Sequence, residues 1–292
     1  MPRVLVVDDS PMDRRLAGGL LSKSGFVVAY AEDGRSALAE MANELPSVVV
    51  TDLQMPEMDG LALVAESRRR HPSVPIVIMT AHGSEETALV ALRSGAASYV
   101  PKRLLAQSLV QTLREILSLS VEPERASTLD PLEIRSATFE LGPDVARIGE
   151  VVSELELHLI QLGLCDETGI IQVGVALREA LVNAVVHGNL EVSSKLHEES
   201  PTRFAEVIRE RQGLAPFKDR VARLIVTYAP REAAYHLSDE GPGFDVKTVP
   251  DPTAIENLDK PFGRGLMLIR TFMDEVTFND RGNEIHMVKR KA

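Results

Sequence analysis

Five short apolar runs, each followed by a stretch with helical spacing, constrain the fold of this chain more than any other feature. Arg3–Val7, Val27–Tyr30, Ser47–Thr51, Ile76–Met79 and Ala97–Val100 are strand-length and carry almost no polar positions. Strands of that kind have no face to offer water and belong in the middle of a sheet. Helical spacing fills the intervals: a helix entered at Ser10-Pro11, then 34–43, 60–70, 85–94 and a closing helix over 104–117. Alternating β and α elements of this type predict an α/β domain with a doubly wound, five-stranded parallel sheet. In such sheets ligands bind at the carboxyl ends of the strands, where the strand order reverses. With the order 2-1-3-4-5, Asp8, Asp9 and Asp52 meet at that point. Three converging carboxylates repel one another unless a divalent cation lies among them, and an all-oxygen set suits Mg²⁺. A carboxylate nucleophile beside a metal, with the Thr80 hydroxyl and the Lys102 ammonium at neighbouring strand ends, makes a phosphoryl-acceptor site. Asp8 alone would serve equally well as a helix cap; the whole set points to chemistry.

These residues sit in VLVVDDS at 4–10, TDLQMPEMDG at 51–60 and MTA at 79–81, and with Lys102 they resemble the receiver domain of two-component response regulators, a flavodoxin-like fold. The resemblance implies that Asp52 accepts a phosphoryl group from an upstream histidine kinase or phosphotransfer protein. It also implies that Asp8 and Asp9 hold Mg²⁺ with Asp52, that Lys102 contacts the phosphoryl oxygens, and that Thr80 and Tyr99 form the switch pair. One departure stands out. Receivers carry a proline after this lysine, whereas the order here is Pro101-Lys102-Arg103, so the family's cis Lys–Pro bond cannot form.

At 292 residues the chain is long for one domain, which sets the expectation of a receiver over 1–119, a linker over 120–132 and a second domain over 133–292. No apolar run approaches the ~20 residues of a membrane span. The amino terminus shows no signal-peptide pattern, and the lone Cys165 suits a reducing cytosol. A formal net charge of −11 argues against nucleic acid as a main partner. The expectation is a cytoplasmic protein with neither a membrane nor a nucleic-acid partner. The basic cluster Arg68-Arg69-Arg70 ends a helix, where cations favour the dipole, and reads as structural.

In the second domain 134–141 reads as a strand and 144–164 as an amphipathic helix. His158, within that helix, reads as a surface or core-edge residue. The helix over 166–186 has an apolar stripe at Val173, Leu177, Ala180, Leu181 and Ala184, and Glu179, Asn183 and His187 form a second stripe beside it. On its own this describes a core helix with a polar margin as well as a ligand-facing helix. The segment 192–218 reads as a polar insertion with a short helix and no assigned task. Antiparallel strands over 220–228 and 233–237, a helix over 265–273 and a terminal strand pair over 275–279 and 284–289 complete the chain. Two glycine motifs punctuate this region. Asp239, Gly241 and Gly243 follow a strand, where a carboxylate can take an adenine amino group while the base approaches the backbone. Gly263-Arg264-Gly265-Leu266 opens a helix, where free N–H groups and the dipole favour phosphate.

Glu179 with Asn183, Asp239 with Gly241 and Gly243, and Gly263 with Gly265, in that order, resemble the ATP-binding α/β sandwich shared by gyrase, Hsp90, histidine kinases and MutL. The form EALVNAVVHGN with GRGLMLI is most similar to the anti-sigma-factor serine/threonine kinases. The resemblance implies ATP and Mg²⁺ as cofactors, Asn183 on the metal, Asp239 on adenine and Glu179 as general base or its positioner. Gly263, Arg264, Gly265 and Leu266 would hold the phosphates. The stretch 244–262 would form a lid, with Lys260 or Arg264 facing the γ-phosphate; His187 fits the kinase version of the motif without a mechanism of its own. The expected activity is protein serine/threonine kinase output under receiver control, acting on an anti-sigma-factor antagonist or another regulatory protein; homodimerisation is compatible with it, and a sigma factor or other protein is the partner if the domain sequesters instead. Two alternatives stay open: an ATP-gated module that sequesters its partner without phosphotransfer, and a histidine-kinase-like catalytic domain acting in trans.

Overall fold

The computed structural model describes residues 1–81, 85–118, 135–246 and 264–291. The chain divides into two compact units, Met1–Ser120 with Asp166–Gln172, and Val121–Cys165 with Val173–Ala292.

In the first unit β1 (Arg3–Val7), β2 (Val27–Ala31), β3 (Val48–Asp52), β4 (Ile76–Thr80) and β5 (Ser98–Pro101) form a parallel five-stranded sheet in the order β2-β1-β3-β4-β5. The central strands β3 and β4 are buried at every position, as continuous apolar runs require. Helices α1 (Pro11–Lys23), α2 (Gly34–Asn43), α3 (Gly60–Arg70) and α4 (Glu85–Ser94) fill the crossovers. Their starts are locally encoded. Ser10 accepts from Asp13 N at α1, Asp33 and Ser36 make a capping box at α2, and Asp59 accepts from Ala62 N at α3. The basic end of α3 is structural, since Arg69 and Arg70 both pair with Glu66 one turn earlier. The closing helix departs from the continuous helix the spacing predicts. A 3₁₀ turn at Lys102–Leu104 leads into a π-helical turn at Leu105–Leu109, and only Val110–Leu117 (α5) is α-helical.

The second unit carries a mixed α/β architecture on an antiparallel sheet. Strands β6 (Arg135–Leu141), β7 (Ala222–Ala229), β8 (Glu232–Ser238), β9 (Glu275–Phe278) and β10 (Glu284–Arg290) pair in the order β6-β7-β8-β10-β9. Alternation along β7 buries Ala222, Leu224, Val226 and Tyr228 on one face. Helix α6 (Arg147–Leu162) follows β6, α7 (Glu167–Val182) contributes to this unit from Val173 onward, and α10 (Arg264–Phe272) precedes β9. All five residues of the predicted stripe on α7, Val173, Leu177, Ala180, Leu181 and Ala184, are buried. His158 sits at the core edge, its Nδ1 3.0 Å from the Tyr228 hydroxyl.

Three features differ from the sequence reading. First, α7 does not stop near Val186: Asn183–Asn189 continues it as a π-helical segment, with Leu190 N–H donating to Val185 O five residues back. Secondly, this helix, Glu167–Asn189, is long and apolar enough to cross a membrane by length and mean hydropathy (1.5), although 56% of its most apolar window is buried within the protein. Polar residues such as Arg178, Glu179 and Asn183 interrupt its apolar runs, so contiguity hides what the average shows. Thirdly, the insertion holds two α-helices, α8 (Ser194–Glu199) and α9 (Pro201–Gln212), in place of one short helix. Their apolar residues Leu196, Phe204, Val207 and Ile208 pack on Val186, Leu190 and Val192 at the end of α7. The predicted linker 120–132 lies outside the described residues.

One buried group has no counterpart in the sequence reading. Glu156 on α6 is fully buried against α7, where a Cβ on Gly174 would collide with its carboxyl. Neither carboxyl oxygen has a hydrogen-bond partner among the described residues, and burial pushes the group up to about 9.

Candidate functional site

The first site forms where β1 and β3 end side by side. Asp8 is fully buried, Asp52 almost so and Asp9 exposed, and one carboxylate oxygen from each lies within 4.8 Å of the others. Backbone contacts fix their aim. Ser10 N–H donates to Asp8 Oδ1 at 2.8 Å, and Arg14 donates to the Asp8 carbonyl. Gly60 passes so close to the Asp52 carbonyl that a Cβ there would collide with it. Lys102 reaches in from the end of β5, its Nζ 2.8 Å from Asp8 Oδ2 and 3.3 Å from Asp52 Oδ1. Burial pushes the Asp52 carboxyl above its ordinary value; Lys102 pulls it back and Asp8 adds to the rise. Burial alone would lower Lys102, but its hydrogen bonds to Asp8 and Asp13 and the charges of Asp52 and Asp8 hold it above the usual lysine value. Thr80 ends β4, and Tyr99 lies on β5 opposite Ile78; both are buried. The donors are all oxygens, so Asp8, Asp9 and Asp52 suit a hard divalent cation such as Mg²⁺.

Asp13 was not anticipated. It stands in the first turn of α1 and accepts from Lys102 Nζ at 3.0 Å. Its place just after the Asp8-Asp9 pair, on a helix starting at the same strand end, is the only local signal for it.

The second site gathers around α7 and its π-helical extension. Asp239, just beyond β8, packs on the end of that extension. A Cβ on Gly188 would collide with the Asp239 carboxylate, and one on Gly241 with the Gly188 carbonyl. Two glycines therefore permit a close approach that any side chain would block. Asp239 Oδ1 accepts from Gly241 N–H at 2.8 Å, and its backbone exchanges two hydrogen bonds with Asn283, at 3.0 and 2.8 Å. Burial raises the Asp239 carboxyl to about 6, against the pull of Gly241 N–H, Arg281 and Arg220. Gly243 has φ +74° and lies against the Arg281 carbonyl.

At the other end of the stripe, Glu179 lies against Gly265 in the first turn of α10, where a Cβ would collide with the Glu179 carboxylate. Asn183 opens the π-helical segment and is half-buried. His187 Nδ1 lies 2.5 Å from the Val192 carbonyl, which can only accept, so that nitrogen carries the proton. Leu266 is half-buried in α10. Lys260, Gly263, the side chain of Arg264 and the lid beyond residue 246 lie outside the described residues. The structure thus groups Asp239, Gly241 and Gly188 at the end of α7's extension, and Glu179 and Gly265 on α7 itself, before the extension begins. Asn189, Asn283, Arg220 and Arg281 surround Asp239 without having been singled out from sequence, because their spacing to it is not local.

Comparison with known proteins matches the two units to two families. A model of the response regulator receiver domain matches residues 4–114, and one of the histidine kinase-like ATPase domain matches residues 141–289. The DNA-binding transcriptional regulator NtrC of Escherichia coli (strain K12) is 39% identical over 169 residues, covering 57% of this chain and 35% of that protein. The transcriptional regulatory protein ZraR of the same organism is 39% identical over 115 residues, covering 39% of this chain and 26% of that protein. This chain therefore spans about a third or less of the length of these relatives. Among solved structures, the receiver domain of NtrX from Brucella abortus is 37% identical with a TM-score of 0.39, covering 40% of this chain and 99% of that one.

Proposed function

The chain belongs to the histidine kinase-like ATPase family and carries a response regulator receiver domain, and from this premise we propose that phosphorylation of Asp52 controls an ATP-dependent serine/threonine protein kinase. In the proposed cycle an upstream histidine kinase or phosphotransfer protein presents a phosphohistidine. An Asp52 oxygen attacks phosphorus, the P–N bond breaks, and the imidazole leaves with its electron pair and takes a proton. Lys102 neutralises the phosphoryl oxygens, and Thr80 with Tyr99 passes the change outward. Mg²⁺ held by Asp8, Asp9 and Asp52 would supply further charge compensation.

At the second site Asp239 receives the adenine amino group, Asn183 would hold the Mg²⁺ of the nucleotide, and the amino terminus of α10 would meet the phosphates, with Gly263, Arg264 and Gly265 in the role the resemblance implies. Glu179 then accepts or orients the proton of the attacking hydroxyl. Phosphoryl transfer is mostly positioning and charge compensation, which this set of groups can supply. The observation that carries the reading is the close approach of Glu179 to Gly265, which sets an acid against the first turn of α10. The target class is an anti-sigma-factor antagonist or another regulatory protein, and the setting is cytoplasmic.

The test is γ-labelled ATP with the full chain, with and without acetyl phosphate, against a panel of such proteins. Label on serine or threonine of one target, lost in Glu179→Ala and altered in Asp52→Asn, is the expected result. ATP binding without transfer to any target would replace the kinase by a nucleotide-gated sequestering module, and label on histidine by a trans-acting histidine kinase.

A further inference from the structure

Two arginines, Arg211 in the insertion and Arg220 just past its end, grip the backbone at the far end of α7. Arg211 Nη1 donates to the Leu190 and Glu191 carbonyls at 2.6 and 2.8 Å. Arg220 Nη1 donates to the Asn189 carbonyl and to Glu191 Oε1, both at 2.8 Å. Both guanidinium groups stack over the ring of Phe217, at 4.8 and 5.4 Å from its centre. The residue they share, Glu191, has φ +52°, a left-handed conformation that costs a non-glycine residue energy and persists where the surroundings dictate it. Cations at a helix carboxyl terminus also meet its exposed carbonyls and dipole.

What this grip holds is Asn189. Its side chain is almost fully buried, and its Oδ1 accepts from Glu240 N–H at 2.8 Å, one residue past Asp239. Glu240 is tied back to the end of the insertion, its Oε2 accepting from Val221 N–H at 3.1 Å. From the other side Asn283 brackets Asp239, and Arg281 donates to the Gly241 carbonyl at 3.1 Å. The Asp239 loop is therefore suspended between Asn283 on one side and Asn189, backed by Arg220 and Arg211, on the other.

We infer that the 192–218 insertion with Arg220 is a positioning device for base recognition, holding Asn189 so that Asp239 meets the exocyclic amino group of adenine. This rests on the nucleotide reading above and gives the insertion its task. Arg220 and Asn189 touch no nucleotide in this scheme; they act through Asp239. The consequence is specific. An ATP analogue without the amino group gains nothing from a well-aimed Asp239, so ITP is insensitive to the device and ATP is not.

The test is calorimetric binding of ATP and of ITP to the full chain, wild type against Arg220→Ala, Asn189→Ala and Arg220→Lys. Loss of the aim of one charge-assisted hydrogen bond corresponds to about tenfold in affinity. ATP affinity should fall by about that factor in Arg220→Ala and Asn189→Ala, with ITP within about twofold of wild type. Arg220→Lys should recover most of the loss. Because Arg220 also lowers the Asp239 carboxyl, the acid limb of ATP binding should move to higher pH in Arg220→Ala. Parallel losses for ATP and ITP, or no loss in either, overturn the inference. If Arg220→Ala does not fold, as judged by circular dichroism, Arg220→Gln and Asn189→Ala carry the same comparison. A wild-type chain that binds neither nucleotide rejects the nucleotide reading itself, a result distinct from wild-type binding with indifferent variants.

Discussion

Glu156→Gln should make the second unit more stable, by an amount that grows with pH. Glu156 is fully buried without a hydrogen-bond partner among the described residues, and burial moves its carboxyl from 4.5 to about 9. A group whose folded value lies above its unfolded value takes up a proton on folding. Its contribution is fully present below 4.5 and is lost as pH climbs towards 9. Within that window stability falls by about 1.4 kcal/mol per pH unit, or about 4 kcal/mol between pH 5 and pH 8. Glutamine has nearly the same shape, also lacks a partner there, and does not titrate. The variant should therefore match wild type near pH 5 and exceed it by about 3 kcal/mol at pH 7. The chain has no tryptophan, so unfolding in urea is followed by far-ultraviolet circular dichroism. Hydrogen exchange in α6 and α7 assigns the transition to this unit. All other groups are shared, so only the difference between the two proteins is read. Parallel pH profiles from 5 to 8, or a variant less stable than wild type at pH 8, would refute the reasoning.

Two further outcomes follow from the sites. Asp239 is raised to about 6, chiefly by burial, and its charged form is the stronger acceptor for the adenine amino group. ATP affinity should therefore rise as pH climbs through 6 and fall below it; calorimetry giving a flat profile between pH 5 and 8 would count against Asp239 as the adenine acceptor. Asp13→Asn removes one of three carboxylates around Lys102, leaving its ammonium freer to pair with phosphorylated Asp52. The acyl phosphate formed with acetyl phosphate should persist ~3-fold longer, as one partly exposed ion pair allows. Decay on phosphate-affinity gels that is unchanged or faster would show that Asp13 does not compete for the lysine.

What could be read from sequence alone was written in local periodicity. Continuous apolar runs dictated a buried parallel sheet, and the strand order placed Asp8, Asp9 and Asp52 together at the switch point, because residues at the ends of neighbouring strands have nowhere else to go. The apolar stripe of α7 and the alternation along β7 are likewise one-dimensional signals of burial. Tertiary structure decided everything that joins distant segments. Lys102 with Asp13, Glu240 with Asn189 and Asn283 with Asp239 are contacts across 89, 51 and 44 residues, and no spacing rule encodes such pairs. The insertion reads in sequence as polar with one short helix and no task because its helices pack only against Val186, Leu190 and Val192, and Arg211 and Arg220 bind only carbonyls at the end of α7. Glu156 went unnoticed for the same reason. A glutamate on an amphipathic helix is ordinary in sequence, and only the packing of α6 on Gly174 removes it from water. The stripe of Glu179, Asn183 and His187 divides along this line. Its fourfold spacing put it on one side of a helix, but the change to π-helical hydrogen bonding at Asn183 re-aims the residues beyond it. The residues beyond it pack against the insertion helices, contacts that spacing along α7 does not show.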